Sequence, residues 1–147
     1  MSFLSPAGSR RNPQYNSDAL RNSLQAAGIS YRNDVELGGR REPHADSDNT
    51  GLRNDAFRAY ADYMETEEFR AAFDRLIDEA KEERTAIMCS ETLWWRCHRR
   101  LISDAIVLLA GGDVYHIVAG KGAPHQLTEG VRRDGERLRY GVGPLSV

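Results

Sequence analysis

The chain has 147 residues, of which 40% are hydrophobic and 29% charged, and its formal net charge is −2. That length is enough to bury a core in one domain without disulfide support, and the composition is ordinary for a soluble globular protein. No apolar run approaches the roughly 20 residues that cross a bilayer, so a membrane is excluded as a partner. The first residues have no charged region leading into an apolar stretch, so the sequence predicts no secretory signal.

Two cysteines without such a signal predict a cytoplasmic protein whose thiols stay reduced. Nearly all the positive charge is carried by arginine, because the chain has only two lysines. Guanidinium groups favour bidentate contact with phosphate or carboxylate, although a genome that prefers arginine codons would give the same composition. A nucleic-acid-binding domain is usually basic overall, so nucleic acid is kept only as an alternative partner.

The first predicted helix begins at Ser17, a good N-cap residue, and stops before Gly28. The segment before it, 1–16, is rich in Ser, Pro and Gly and is predicted to be a loop. A short strand over 29–32 follows. The next segment, 37–54, is polar and glycine-containing and predicts a long loop, a kind of segment that is often functional or disordered.

The second half of the chain alternates helices with strand-length apolar runs. Asp55 can cap a short helix and Thr66 a longer one. A short apolar strand over 85–88 precedes a helix over 97–110, and a further strand is predicted over 113–118. From Gly120 on, the chain is predicted to be mostly loop, with a candidate turn at Asp134-Gly135.

This alternation predicts a single α/β domain over 1–147, with three layers, a mostly parallel sheet and flanking helices. The right-handed crossover rule joins two of the strands and the helix between them into one βαβ unit, over 85–89, 97–110 and 113–118. Ligands of such sheets bind beyond the carboxyl ends of the strands.

Both cysteines lie in one strand-to-helix turn: Cys89 ends a strand and Cys97 begins the next helix. A thiol that faces a helix N-terminus beside arginines has a lowered pKa, and the N–H groups there also bind anions. Cys89 is therefore the predicted nucleophile, and Cys97 is a second candidate. The alternative is that they are small apolar residues of the core.

Two familiar thiol patterns are absent. A Cys-x5-Arg phosphatase loop starting at Cys89 would need arginine where the chain has Trp95, and Arg96 comes one position too late. A thioredoxin-like pair has two intervening residues, whereas seven separate Cys89 from Cys97. Spacing therefore predicts neither chemistry.

Zinc is compatible with the residue types Cys89, Cys97 and His98. A fourth ligand would come from elsewhere in the chain, namely His44, His116 or His125. On a helix, however, the adjacent side chains of Cys97 and His98 point about 100° apart. The sequence therefore predicts no metal site, and it identifies no cofactor.

The same turn offers further candidates. His98 is suited to acid–base work, and Glu91 is either a base or a carboxylate that caps the turn. Trp94-Trp95 is either an aromatic platform for a base or sugar, or a hydrophobic lid.

An anion is the predicted ligand class, because Ser9, Arg10 and Arg11 offer hydroxyl and guanidinium groups in one loop and Arg99 adds another. A solvated surface loop is the alternative interpretation of the first three.

Several motifs, in this order, resemble those of the domain of unknown function 488 family: GSRRNPQYN at 8–16, GISY at 28–31, ELGG at 36–39, FRAYADYM at 57–64, MCSE at 88–91, CHRRLI at 97–102 and VYHI at 114–117. The second motif adds Tyr31 to the candidate site residues. The resemblance runs from about residue 6 to residue 140. It implies an α/β fold and a motif set that has prompted suggestions of enzymatic activity without an established reaction.

Members of that family begin with a strand carrying a Thr-Ile-Gly-His-Ser-like motif, a helix, and a second strand ending in Asp-Val-Arg. The present chain is expected to lack this unit and so to be N-terminally shortened. An incomplete parallel sheet leaves an apolar edge, which favours a homodimer. Three interpretations follow: an enzyme that binds an anionic small molecule or nucleotide, a non-catalytic nucleic-acid-binding or regulatory module, and an inactive truncated form.

Overall fold

The computed structural model describes residues 2–3, 16–42 and 44–141. Two short 3-10 turns, at Val35–Leu37 and Trp94–Arg96, accompany the regular elements. These elements are, in chain order, β1 (Ser2–Phe3), α1 (Ser17–Ala26), β2 (Arg32–Asn33), α2 (Asp55–Tyr63), α3 (Glu67–Glu82), β3 (Ile87–Met88), α4 (Arg99–Ala110), β4 (Tyr115–Val118), β5 (Lys121–Pro124), β6 (Val131–Asp134) and β7 (Arg137–Tyr140).

Side-chain caps start the two middle helices. The hydroxyl of Thr66 accepts a hydrogen bond from the backbone N–H of Phe69 at 3.2 Å, as predicted for the start of α3. At α2 the cap is Asn54, whose side chain accepts from Ala56 N at 2.9 Å, so Asp55 occupies the first turn instead of capping it. Each cap satisfies N–H groups that have no partner within the helix.

The core forms where α2, α3 and α4 meet the hairpin β6–β7. Three residues of α4, Leu101, Ile102 and Ala105, are completely buried. The phenol of Tyr60 donates to the carbonyl oxygen of Leu37 at 2.9 Å, which ties α2 to the loop before it. The other buried members of the core are Leu52, Ala61, Tyr63, Met64, Phe69, Ala72, Phe73, Leu76, Leu138 and Tyr140.

The predicted three-layer, mostly parallel sheet is wrong. The parallel strands β2, β1 and β3 form a sheet in that order, but each is two residues long. All other strands in the described residues form two separate antiparallel pairs, β4–β5 and β6–β7. Four helices and these short ladders therefore make up the fold, and the parallel ladder is too short to organise three layers.

The predicted βαβ unit is also wrong, because β4 pairs with β5 and not with β3. The reason is the two-residue loop after β4. Ala119 and Gly120 have φ angles of 52° and 75°, which fits the type I′ turn that reverses an antiparallel hairpin. The chain folds back at once, so no parallel crossover forms.

The segment after Gly120 is not mostly loop, because it contains β5, β6 and β7. The turn predicted at Asp134-Gly135 is confirmed: it joins β6 to β7, and Gly135 has a φ of 63°. The end of α4 is confirmed too, because Gly111 follows it in the left-handed conformation. Within the described residues, no helix is both long and apolar enough to cross a membrane.

Truncating Ile102 to alanine should lower the free energy of unfolding by about 2–5 kcal/mol, because its side chain is fully buried and leaves a cavity. Urea denaturation measures the loss. Leu127→Ala is the matched control, because Leu127 is 44% exposed and its truncation should cost less than about 0.5 kcal/mol. Equal losses in the two variants would contradict this description of the core.

Candidate functional site

The turn between β3 and α4 brings the two cysteines into contact. Cys89 directly follows β3, and Cys97 lies two residues before α4, after the 3-10 turn. The thiol of Cys89 donates to Sγ of Cys97 across 3.3 Å. Sequence spacing argued against a dithiol pair, but the 3-10 turn folds the intervening residues back on themselves. Separation along the chain was therefore a poor guide to separation in space.

Arg99, the first residue of α4, donates two hydrogen bonds to the sulfur of Cys97. Its backbone N–H donates to Cys97 Sγ at 3.3 Å, and its side-chain Nε donates to the same sulfur at 3.1 Å. The guanidinium also donates through Nη2 to the carbonyl oxygen of Glu91. The place facing the helix N-terminus, which the sequence assigned to Cys89, is therefore occupied by Cys97.

These contacts separate the proton affinities of the two thiols. The hydrogen bond from Cys89, helped by the N–H groups of Arg99, lowers the pKa of Cys97 to about 6, against the effect of burial. The same hydrogen bond and burial raise the pKa of Cys89. At neutral pH, Cys97 is thus the thiolate, and Cys89 is the neutral thiol that donates to it.

Cys89, Cys97 and His98 also bring their ligand atoms within 4.8 Å of one another. The helix argument against chelation does not apply, because Cys97 and His98 both precede the first residue of α4. The sulfur atoms, however, are 3.3 Å apart. Two thiolates on one tetrahedral zinc, each about 2.3 Å from the metal, would be about 3.8 Å apart. The observed distance suits a direct thiol–thiolate hydrogen bond better.

His98 is buried between α2 and the loop of residues 38–54. Its ring centroid is 5.1 Å from that of Tyr60. A Cβ atom at Gly39 would collide with the imidazole ring, so the backbone of Gly39 is the surface on which the ring packs. The absence of a side chain at Gly39 thus sets the position of His98.

The other predicted site residues have different surroundings. The carboxylate of Glu91 accepts from the backbone N–H of Leu93 at 3.2 Å, as a turn-capping group does. The hydroxyl of Tyr31 lies 3.5 Å from that of Ser17 in α1. Trp95 is exposed, and its ring packs edge-on against that of Trp94 at 5.7 Å. The remaining three, Ser9, Arg10 and Arg11, lie outside the described residues.

Sequence reasoning missed a chain of three polar side chains beside this turn. The carboxylate of Asp104 in α4 accepts from Nε2 of His125 at 2.7 Å, and Nδ1 of His125 is 2.7 Å from Nε2 of His116 in β4. Asp104 also accepts from the backbone N–H of Thr128 at 3.1 Å and from the hydroxyl of Tyr140 at 2.9 Å. We call Asp104, His125 and His116 the Asp–His–His chain.

Asp104 is completely buried, and among the described residues its one basic partner within salt-bridge distance is His125. Asp34 is the other buried carboxylate among the described residues. It forms ion pairs with two arginines, Arg32 at 2.9 Å and Arg75 at 3.5 Å. A signal for Asp104 was present in the sequence. An acidic residue on the buried stripe of an apolar helix needs polar partners.

His116 connects the Asp–His–His chain to residues 89–98, between β3 and α4, which we call the thiol turn. Its ring is stacked on that of Trp94, with centroids 3.8 Å apart and planes 3° from parallel. Trp94 begins the 3-10 turn, and its carbonyl oxygen accepts from the backbone N–H of Cys97 at 3.4 Å. Burial first, and then the nearby charges of His125 and Arg99, lower the pKa of His116 to about 4. His116 is therefore neutral at pH 7.

The alkylation of Cys97 by iodoacetamide should accelerate with rising pH through a midpoint near 6, because only the thiolate reacts. Cys89→Ala should move the midpoint upward, since it removes the hydrogen bond that stabilises the thiolate. Cys89→Ser is the matched control, because its hydroxyl can still donate and should keep a lower midpoint than alanine. Peptide mass spectrometry follows Cys97. One common midpoint for all three proteins would contradict the assignment.

The lowered pKa of His116 should make stability depend on pH. The folded protein leaves this histidine neutral down to about pH 4, whereas an ordinary histidine takes up a proton near pH 6.5. The contribution is therefore fully present above about pH 6.5 and is lost as the pH falls towards 4. Urea denaturation of His116→Gln should show a flatter curve in this interval. His44→Gln, at an exposed position, should run parallel to the wild type.

Comparison with known proteins places the sequence in a family. Residues 5–106 match the family described as Domain of unknown function DUF488. No curated protein and no solved structure matches the chain. The matched residues include the thiol turn, His98 and Asp104, whereas His116 and His125 lie after them. The chain therefore belongs to the DUF488 family of domains of unknown function.

Proposed function

We propose that the protein is an enzyme of thiol–disulfide exchange, in which Cys97 is the attacking thiolate and Cys89 resolves the intermediate. The observation that carries the proposal is the 3.3 Å contact between the two sulfur atoms. Arg99 supports it, because two of its N–H groups stabilise the charge on Cys97. A thiolate beside a protonated thiol is the pair that such exchange requires.

In the first step Sγ of Cys97 attacks one sulfur of a substrate disulfide. The new bond forms a mixed disulfide, and the other half of the substrate leaves as a thiolate. Cys89 then loses its proton and attacks Cys97 Sγ, which releases the second half and closes a Cys89–Cys97 disulfide. The substrate gains the two electrons that the cysteines lose, and the proton from Cys89 goes to one of the released thiolates.

We extend the proposal to anionic substrates. While Cys97 is a thiolate, its negative charge balances the guanidinium of Arg99, which touches it. Once Cys97 is bonded to sulfur, that balance is lost and the positive charge of Arg99 is left beside the bound substrate. A carboxylate or phosphate on the substrate would then be attracted to the site.

The test uses the reduced full-length chain and hydroxyethyl disulfide as the substrate probe. Wild-type protein should end as an internal Cys89–Cys97 disulfide, identified by peptide mass spectrometry. Cys89→Ser should stop at a mixed disulfide on Cys97, because no resolving thiol is present. Cys97→Ser should react at least about tenfold more slowly at pH 7, because the remaining thiol, Cys89, has no partner that stabilises a thiolate as Cys97 has, and its burial still raises its pKa.

Two results would overturn the proposal. One is a wild-type protein that carries the probe on Cys89 and leaves Cys97 unmodified. The other is purified protein that holds one equivalent of zinc and reacts only after a chelator removes it, since the thiols would then be metal ligands. His44→Gln serves as the control for changes unrelated to the site, and it should behave as the wild type does.

A further inference from the structure

A histidine lies at the two sulfur atoms of the thiol turn. One ring nitrogen of His98 is within 4.8 Å of both sulfurs, those of Cys89 and Cys97. That limit covers a direct hydrogen bond between nitrogen and sulfur, and it also covers a pair of atoms bridged by one water molecule. The imidazole of His98 is therefore placed to exchange a proton with a thiol of the pair.

The surroundings of His98 hold its ring in this place. Its carbonyl oxygen accepts from the backbone N–H groups of Leu101 and Ile102, at 3.0 and 3.1 Å, which fixes its backbone at the start of α4. Its buried imidazole packs on the backbone of Gly39 and beside the ring of Tyr60. The ring is thus positioned before a substrate binds, which is what proton transfer requires of a catalytic group.

The resolving step of the proposed reaction needs a group that takes the proton of Cys89. In the reduced pair this thiol donates to Sγ of Cys97. Once Cys97 is bonded to the substrate it is no longer a thiolate, so it no longer raises the pKa of Cys89, whereas burial still does. The carbonyl oxygen of Glu91, which accepts from the thiol at 3.7 Å, is not a base. A basic side chain at the thiol would therefore speed the step.

We infer that His98 is the general base of the resolving step and the general acid for the departing half of the substrate. The inference rests on the proposed thiol–disulfide exchange. The neutral ring takes the proton of Cys89 as the sulfur of Cys89 attacks Sγ of Cys97. The bond between Cys97 and the substrate sulfur breaks. The imidazolium then gives its proton to the departing thiolate, so His98 returns to its neutral form.

Rapid-mixing kinetics of the reduced full-length chain with a dipyridyl disulfide separates the two steps, because each step releases one equivalent of absorbing thiopyridone. The first phase reports attack by Cys97, and the second reports attack by Cys89. His98→Gln keeps a polar side chain but has no basic nitrogen. At pH 7 it should keep the first phase within about threefold and slow the second by about 100-fold, a typical contribution of a general base.

The dependence on pH separates a base from a merely structural residue. At high pH the thiol of Cys89 ionises without help, so the deficit of His98→Gln should shrink as the pH rises from about 7 to about 10. Ionisable groups around His98 include Cys97, which is bonded to the substrate in this step, and Tyr60 and Arg99. Burial raises the pKa of Tyr60, and the contacts with Cys97 raise that of Arg99, so neither changes its charge in this interval.

Two further variants guard against damage to the fold. His98→Ala leaves a buried space of the size of the lost ring, and added imidazole should accelerate its second phase in a concentration-dependent way. Gly39→Ala keeps the imidazole, but the new Cβ would collide with Nδ1 of His98, so the displaced ring should slow the second phase and added imidazole should not help. His44→Gln is the control and should match the wild type in both phases.

The outcomes distinguish the two proposals. If wild-type protein releases no second equivalent, or if Cys97→Ser keeps the fast first phase, thiol–disulfide exchange is wrong and the role of His98 falls with it. If both phases are present and the second is equally fast in His98→Gln and His98→Ala, the exchange reaction stands and the role of His98 is wrong. A deficit that stays constant with pH, or that imidazole does not relieve in His98→Ala, also contradicts proton transfer by His98. A slower second phase in Glu91→Gln than in His98→Gln would assign the proton to the carboxylate of Glu91 instead.

Discussion

The buried carboxylate of Asp104 connects more of this protein than any other polar group described above. It lies on the inner side of α4 and accepts hydrogen bonds from two later segments, through His125 and Thr128 between β5 and β6 and through Tyr140 in β7. Burial, and next the negative charge of Asp104, raise the pKa of Tyr140, so its phenol remains a donor. A buried charge is costly unless donors surround it, so the segments after α4 must fold around this one side chain.

That requirement extends to the thiol turn. His125 holds His116, and the ring of His116 packs flat against Trp94 at the start of the 3-10 turn. This 3-10 turn places Cys97 just before the first residue of α4, Arg99, whose backbone N–H donates to the sulfur. The turn brings the two sulfur atoms into contact, and their contact separates the pKa values of the two thiols. Packing in the C-terminal half thus supports the chemistry that we propose for the turn.

The family match and this chain of contacts cover different parts of the sequence. The match ends at residue 106, so it includes both cysteines, Arg99 and Asp104. The partners of Asp104 come from the segment between β5 and β6 and from β7, and His116 of β4 contacts one of them, His125. The thiol pair lies inside the matched region and the two histidines lie after it, and the buried carboxylate of Asp104 contacts the second part from the first.

Local sequence determined the helices well, because caps and apolar spacing act over a few residues. Thr66 caps α3, and Gly111 ends α4, as such residues do in most proteins. The location of the thiols in a strand-to-helix turn, and the arginines around it, were also visible in the chain. The polar contacts on the buried side of a helix were harder to predict from the sequence. Asp104 was overlooked, although it interrupts the apolar stripe of α4.

Only the tertiary structure decided how strands pair and which thiol faces α4. Strand pairing depends on the two-residue loop at Ala119-Gly120, which reverses the chain where a parallel crossover was expected. The contact between Cys89 and Cys97 depends on a 3-10 turn and on the ring packing of Trp94 and His116. Residues distant in sequence make these contacts, and local propensity carries no information about distant partners. The sequence by itself therefore indicated the turn in which we propose the site, and the packing decided which residues are in contact there.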